Sequence, residues 1–388
     1  MGIGHLTSHP ANSHVAWRWA TPQAQTILAT RDLGAILRFY RTVHGLNQTQ
    51  LGALLGYDKT YISALELRKR TVEDIGSRRR LCETLHLPPH ILGITDAADA
   101  DHHAMVQFGY STVRLAEIAR QSGHACEAVE ELWPLVARLE ARAEDGNAER
   151  EVLGLLARAR VSLGVALGNV LPEERLSTAA RWTAKSLEIA EVFAEPGFTS
   201  YVLRMHGNEL RKARLHGAAV DRLSRAVALA PDHDARAAAL PLLARAAGSL
   251  GNGLLFDRAI SETEHLLERV EHSSPFNPFA LHEIRLRGLI ATGRVHLAVQ
   301  RAENTPAPTT AVAPQWRVIE QVTVAHVRLH AQDHGGAAES LNAAIQEAVR
   351  QRLPHQLQRV VGTAGDNLPQ LRDTAQQALD RMRQEMAA

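Results

Sequence analysis

The sequence predicts an all-α protein in which a small N-terminal head precedes a larger body of successive helices. Three observations carry this prediction. The stretch from Leu46 to Arg70 has the grammar of two short helices meeting at a tight turn. From Met105 onward no run alternates with period two for long enough to form a strand, whereas helical faces follow one another across short turns. Alanine, leucine and arginine dominate a chain that is 45% hydrophobic but only 4% aromatic, a composition that favours packed helices.

Residues 1–20 carry histidines, Trp17 and Trp19 without a clear period, and read as an N-terminal arm whose Trp17-Arg18-Trp19 either touches DNA or packs on the head, with packing favoured. Thr21 followed by Pro22 is an N-cap with proline at the first helical position, opening a short helix before Arg31. Leu33, Ile36, Leu37 and Tyr40 give the next helical face, which ends at Gly45. Asn47 and Gln50 make a capping box, with Leu46 and Leu51 as its hydrophobic staple. Gly56 supplies the residue that tolerates positive φ where this helix stops, and Asp58 is the next N-cap. Leu51, Leu55, Ile62 and Leu65 turn one face of each helix inward, and Gly52 permits a close approach. Val72, Ile75, Leu81, Leu85 and Leu87 continue the apolar pattern to Pro88-Pro89, and the head closes near Gly93.

The polar residues of this stretch suit phosphates. Gln48 lies in the first turn of one helix; Lys59, Thr60, Ser63 and Ala64 lie on the early outward face of the next, with Tyr61 beside them, and Arg68, Lys69 and Arg70 close the unit. Neutral or basic groups at a helix N-terminus suit an anion, which also gains from the exposed N–H groups there. Here the sequence resembles the phage-repressor and xenobiotic-response-element class of helix-turn-helix proteins. Their pattern runs Leu-Ser-Gln-x-x-Leu-Ala, then Gly, then a recognition helix ending Ile-Ser-x-x-Glu. Leu46, Asn47, Gln48, Leu51, Gly52, Gly56, Ile62, Ser63 and Glu66 occupy those places. Gly52 replaces the usual alanine, and Leu67-Arg68 replaces the usual Arg-Gly or Asn-Gly after the glutamate. The resemblance implies that Gln48 anchors a phosphate, that Lys59, Thr60 and Ala64 face bases with Tyr61 and Ser63 beside them, and that Arg68, Lys69 and Arg70 complete a DNA-binding set.

Charge agrees with this division. Between Met1 and Thr95 there are eleven basic and six acidic side chains, a balance of +5, in a chain whose net charge is +1. A basic head on a mildly acidic body fits a head that meets phosphates. The two cysteines, Cys82 and Cys126, make neither a disulfide framework nor a CxxC pattern, which points to a reducing cytoplasm. Cys82, His86 and His90 have the spacing of metal ligands on a helix, but Pro88 and Pro89 interrupt the helix that would align them. No basic-then-apolar leader and no bilayer-length apolar run is present, so no membrane partner is expected.

The body asks for a repeat test. Ser200 to His233 fits the tetratricopeptide period of about 34 residues, with Leu203, Gly207, Leu210, Ala219, Leu223, Ala226 and Pro231 at the signature positions. Arg114 to Leu135 is a weaker copy, carried by Leu115, Ala116, Ala119, Gly123, Ala128 and Leu132, and Ala337, Leu341 and Ala344 repeat the second-helix spacing. The body therefore resembles a degenerate tetratricopeptide-like helical-repeat superhelix of five or six units from Met105 to about Leu353, with a cap helix from Leu368 to Met386. Pro275 to Pro278 and Thr305 to Pro314 are its most loop-like interruptions. The expected organisation is an arm (1–20), a helix-turn-helix DNA-binding domain (21–94), a linker (95–104) and an effector-binding and dimerisation domain (105–388).

Catalytic motifs are missing. No Walker loop, HExxH or GxSxG occurs, and the glycines at 248, 251 and 253 read as an interhelical turn because no strand precedes them. A non-enzymatic protein without a cofactor is expected. The two resemblances together are similar to actinobacterial regulators and Gram-positive peptide-pheromone sensors, and imply a dimeric transcriptional regulator with a double-stranded DNA operator and a peptide or small-molecule effector. In such arrays the first helix of each pair lines the concave surface, which places Tyr201, Arg204, Asn208, Arg211 and Lys212 on the effector-binding face. The alternative is an interaction scaffold whose repeats hold a protein partner and whose head only docks. Salt dependence of DNA binding separates the two.

Overall fold

The computed structural model describes residues 17–94, 97–144, 149–272, 276–302 and 313–387. Among these residues it contains nineteen α-helices, three short 3-10 helices and no strand. The chain divides into two compact units. One comprises Met1–Ser111, Leu135–Ala157 and Glu191–Ala194; the other comprises Thr112–Pro134, Arg158–Ala190 and Glu195–Ala388.

The head lies in the first unit. Its helices are α1 (Pro22–Ala29), α2 (Leu33–Val43), α3 (Gln48–Leu55), α4 (Lys59–Glu66) and α5 (Ile75–Leu85). Thr21 caps α1 by accepting from the Ala24 amide, and Asp32 caps α2 by accepting from Gly34. An apolar cluster from Trp19 to Ile94 holds the five helices together, with Ile36, Leu37, Leu51, Ile62 and Leu85 fully buried. Trp19 joins it, and its indole N–H donates to the Leu85 carbonyl at 2.8 Å, so this tryptophan is a packing residue. Trp17 is buried as well. Cys82 sits in the same cluster, where burial pushes its thiol up to about 11. The helix-turn-helix is α3, a turn and α4.

The remaining helices are α6 (Ala97–Gln121), α7 (Ala125–Glu144), α8 (Arg150–Val170), α9 (Leu176–Phe193), α10 (Pro196–Lys212), α11 (His216–Ala228), α12 (His233–Leu250), α13 (Gly253–Leu267), α14 (Pro278–Ala291), α15 (Val295–Ala302), α16 (Pro314–His330), α17 (His334–Arg350), α18 (Pro354–Ala364) and α19 (Pro369–Ala387). Helix is already present at Ala97, inside the stretch read from sequence as a linker. In the second unit, α10, α12, α14, α16 and α18 pack one on the next, and each also packs against the helix that follows it. That two-layered stacking of hairpins is tetratricopeptide-like, and it explains the small residues of the best-matched repeat. A Cβ on Gly207 would fall 2.6 Å from Leu223 Cγ, so glycine is what lets α10 and α11 meet.

The array runs further than its sequence suggests. Pro369–Ala387, expected as a lone cap, pairs with the short helix Pro354–Ala364, and their Leu357, Val360, Ala375 and Leu379 share one core. The glycine-rich stretch near residue 250 is an interhelical turn, although Gly248 itself lies inside α12; Gly251 ends that helix at φ 77° and Asn252 caps α13. The loop-like stretches fall partly outside the described residues, as does most of the N-terminal arm.

Candidate DNA-reading helix and effector-binding face

The approach to α4 is set by local chemistry. Asn47 Oδ1 accepts from the Gln50 amide at 2.9 Å, and the Gln50 side chain accepts from the Asn47 amide at 2.9 Å, which completes the capping box. Gly56 takes the left-handed conformation at φ 72°, and Asp58 Oδ1 accepts from the Tyr61 amide at 2.8 Å. Gly52 faces the turn rather than α4 itself: a Cβ there would lie 2.5 Å from the Tyr57 carbonyl oxygen.

Glu66, at the end of α4, fixes the angle of that helix. It is 4% exposed. Its Oε1 accepts from Arg41 Nε on α2 at 3.0 Å, and its Oε2 accepts from Gln48 Nε2 on α3 at 2.8 Å. Arg38 also donates to its carbonyl. Three helices therefore meet on one carboxylate whose oxygens are both satisfied, the condition under which a buried charge is tolerated. Gln48, expected at a phosphate, spends one amide N–H on this node and retains another, since a primary amide carries two.

Lys59 and Thr60 are exposed, while Tyr61, Ser63 and Ala64 are half-buried beside them. Tyr61 stacks on Tyr57 with ring centroids 4.7 Å apart, and the Arg70 guanidinium lies 5.4 Å from the Tyr61 ring. Arg68, Lys69 and Arg70 are exposed after the helix. Arg68 stands where the resembling pattern has glycine, and it adopts glycine's conformation, φ 58°. Its Nε donates to Asp32 Oδ2 at 2.9 Å. For Asp32, partial burial works upward, but the Arg68 hydrogen bond and charge outweigh it and hold the carboxyl below its ordinary value. The departure seen in the sequence is thus absorbed by the backbone and tied down by an ion pair.

The five residues of the expected effector face all lie on α10, and the structure sorts them into two groups. Tyr201 and Arg204 stand at one end. The Arg204 and Arg158 guanidiniums lie 5.7 and 5.4 Å from the Tyr201 ring, and Arg120 Nε donates to Glu117 at 2.9 Å nearby. Burial pushes the Tyr201 hydroxyl up and Arg204 down. Asn208, Arg211 and Lys212 stand at the other end. Arg211 Nη2 donates to Asn208 Oδ1 at 3.1 Å, and Asn208 Nδ2 donates to Glu209 Oε1 at 3.1 Å. Lys212 Nζ lies 2.9 Å from Glu209 Oε1 and donates to Asn169 Oδ1 at 3.3 Å. Glu209 therefore pairs with Lys212.

Sequence reasoning missed the groups that meet this second set from other helices: Arg245 on α12, Glu283 and Arg287 on α14, and Arg359 on α18. Each is close enough to shift the ionisation of its neighbours. One signal was available, because Arg245 follows Arg211 by 34 residues, one repeat length.

No protein-family model matches the chain, and no curated protein matches it. Among solved structures, the chain is similar to Bacillus thuringiensis PlcR in complex with the peptide PapR7 and DNA, at 12% identity over 70% of this chain and 93% of that one, with a TM-score of 0.35. It is also similar to the tetratricopeptide domain of P58(IPK), at 13% identity over 95% of this chain and 99% of that one, with a TM-score of 0.23. Both overlaps are loose, and the reading of the site rests on its side chains. No described helix is long and apolar enough to cross a membrane.

Proposed function

We propose that this protein is a sequence-specific DNA-binding transcriptional regulator, dimeric and controlled by an effector held in the helical-repeat part of the chain. The observation that carries the reading is the presentation of α4. Its N-terminal Lys59 and Thr60 are exposed, cations follow it at Arg68, Lys69 and Arg70, and its angle is locked by the Glu66 node. A helix fixed in this way can enter a major groove with short side chains at base edges, while Gln48 and the cations after α4 take phosphates. The DNA-binding domain spans residues 21–94, and the effector and dimer contacts belong to residues 105–388.

Selection of bound fragments from genomic DNA with the full chain supplies the operator for the test. Lys59→Ala should then cost about 1–3 kcal/mol and relax preference at one base position, whereas Gln48→Ala should weaken all sequences alike. Because Gln48 also holds Glu66, its variant is compared at a temperature where its helix content equals that of the parent. Parent-like operator binding by both variants would overturn this placement of α4.

A further inference from the structure

The second unit gathers more positive charge at one place than its own carboxylates neutralise. Arg211, Lys212, Arg245, Arg287 and Arg359 come from α10, α12, α14 and α18. The carboxylates among them are Glu209, Glu283 and Glu173, with Glu320 acting on Glu283, and Glu173 is already held by Arg214 at 2.6 Å. Five cations against four carboxylates, one of them engaged elsewhere, leave an excess of positive charge.

The hydrogen bonds agree with this count. Arg211 is 7% exposed and its Nε has no partner; Arg245 Nε and Arg287 Nη1 are likewise buried without one. Glu209 Oε2 and Glu283 Oε2 also lack partners, but each carboxylate is engaged through its other oxygen, Glu209 by Lys212 and Glu283 by the Thr323 hydroxyl at 2.9 Å. Arg287 Nη1 lies 3.5 Å from Glu283 Oε1 without hydrogen-bond geometry. Among the described residues, Arg359 donates to the neutral Gln356 alone, at 2.8 Å. Arg245 is half-buried, with its guanidinium 5.2 Å from the Trp316 ring, a flat support that orients the fork.

Burial and mutual repulsion lower the ionisation of Arg211 and Arg359 well below the ordinary arginine value and bring Arg245 to about 10. A guanidinium does not readily deprotonate, and a buried uncompensated charge costs several kcal/mol. Negative charge admitted beside these guanidiniums would offset that cost. Arginine forks present paired donors that fit the oxygens of a phosphoryl group or a carboxylate.

We propose that Arg211, Arg245, Arg287 and Arg359 form the binding site for a small, multiply charged oxyanion, a phosphorylated or polycarboxylic molecule, and that this is the chemical class of the effector. The inference rests on the effector reading above and narrows it.

The test follows thermal unfolding of the full chain with sodium pyrophosphate, inorganic phosphate, citrate or an acidic peptide, each against sodium chloride at matched ionic strength. At least one small oxyanion should raise the midpoint above the chloride control. Phosphate or pyrophosphate acting alone identifies the phosphoryl source, and citrate acting alone the carboxylate source. Arg245→Gln combined with Arg359→Gln should weaken that oxyanion about a hundredfold, tenfold for each charge-assisted contact. Neither arginine holds an ion pair among the described residues, so without anion the double variant should melt no lower than the parent; Arg245→Gln alone repeats the test with a smaller change. Responses equal to chloride, or an undiminished response in the double variant, would overturn the site. Stabilisation by the acidic peptide alone would overturn the small-oxyanion class. Operator binding is measured in parallel with and without anion: its absence from both beside an intact anion response indicts the DNA-binding reading and not the site.

Discussion

Arg68 shows how a single residue can break the pattern of its stretch without breaking the structure. A side chain at φ 58° costs roughly 1 kcal/mol relative to glycine. Its ion pair with Asp32 returns little, because Arg68 is 71% exposed and surface pairs contribute about 0–1 kcal/mol. Arg68→Gly should therefore leave the unfolding free energy of the head within about 1 kcal/mol of the parent, while operator affinity falls through the loss of a cation. A large loss of stability in urea unfolding would mean that the Asp32 contact contributes far more than an exposed pair does. Glu66 is the opposite case. Its partners Arg41 and Gln48 stand 25 and 18 residues away in sequence, so nothing local marks it, and the resembling pattern supplied its position without its role.

At the scale of elements, what could be read from the sequence was what neighbours decide. The caps at Thr21, Asn47 and Asp58 and the stop at Gly56 are relations between residues three or four apart, and the structure places each as expected. The Ser200–His233 repeat was legible for a similar reason, since Gly207 and Leu223 declare a close helix pair. The pair Pro354–Ala364 and Pro369–Ala387 was not, because an eleven-residue helix leaves too few positions for a repeat pattern. Of the charged cluster, the resemblance to tetratricopeptide arrays named Arg211 and Lys212 on α10, whereas Arg287 and Arg359 meet Arg211 only through the stacking of distant repeats. Gly52 marks where a local rule and the structure part. Alanine is usual there in the resembling pattern, yet a Cβ would press on the Tyr57 carbonyl at 2.5 Å. Gly52→Ala gains about 1 kcal/mol of helix propensity and loses about 1–3 kcal/mol to overpacking. The balance is a destabilised head and a displaced α4, seen as a lower urea midpoint together with weaker operator binding; a more stable variant would show that the turn yields freely.

For the whole molecule, the open proposal is that two heads act together. One eight-residue recognition helix makes few base contacts, so a specific site needs a second, held about 34 Å away or at a multiple of that spacing. Salt dependence can count heads on the DNA. The logarithm of affinity falls with the logarithm of salt concentration by about 0.9 for each phosphate neutralised on duplex DNA. Lys69 is exposed after α4 and joins no ion pair among the described residues, so its removal disturbs only the electrostatic contact. If one head is bound, Lys69→Ala should reduce the magnitude of the slope by about 0.9; in a dimer the substitution is present twice and the reduction should be about 1.8. Sedimentation of the full chain at the same protein concentrations fixes the number of chains independently. A dimer in solution with the smaller change in slope would mean that only one head reaches the DNA, and a monomer with that change would overturn the paired-head model.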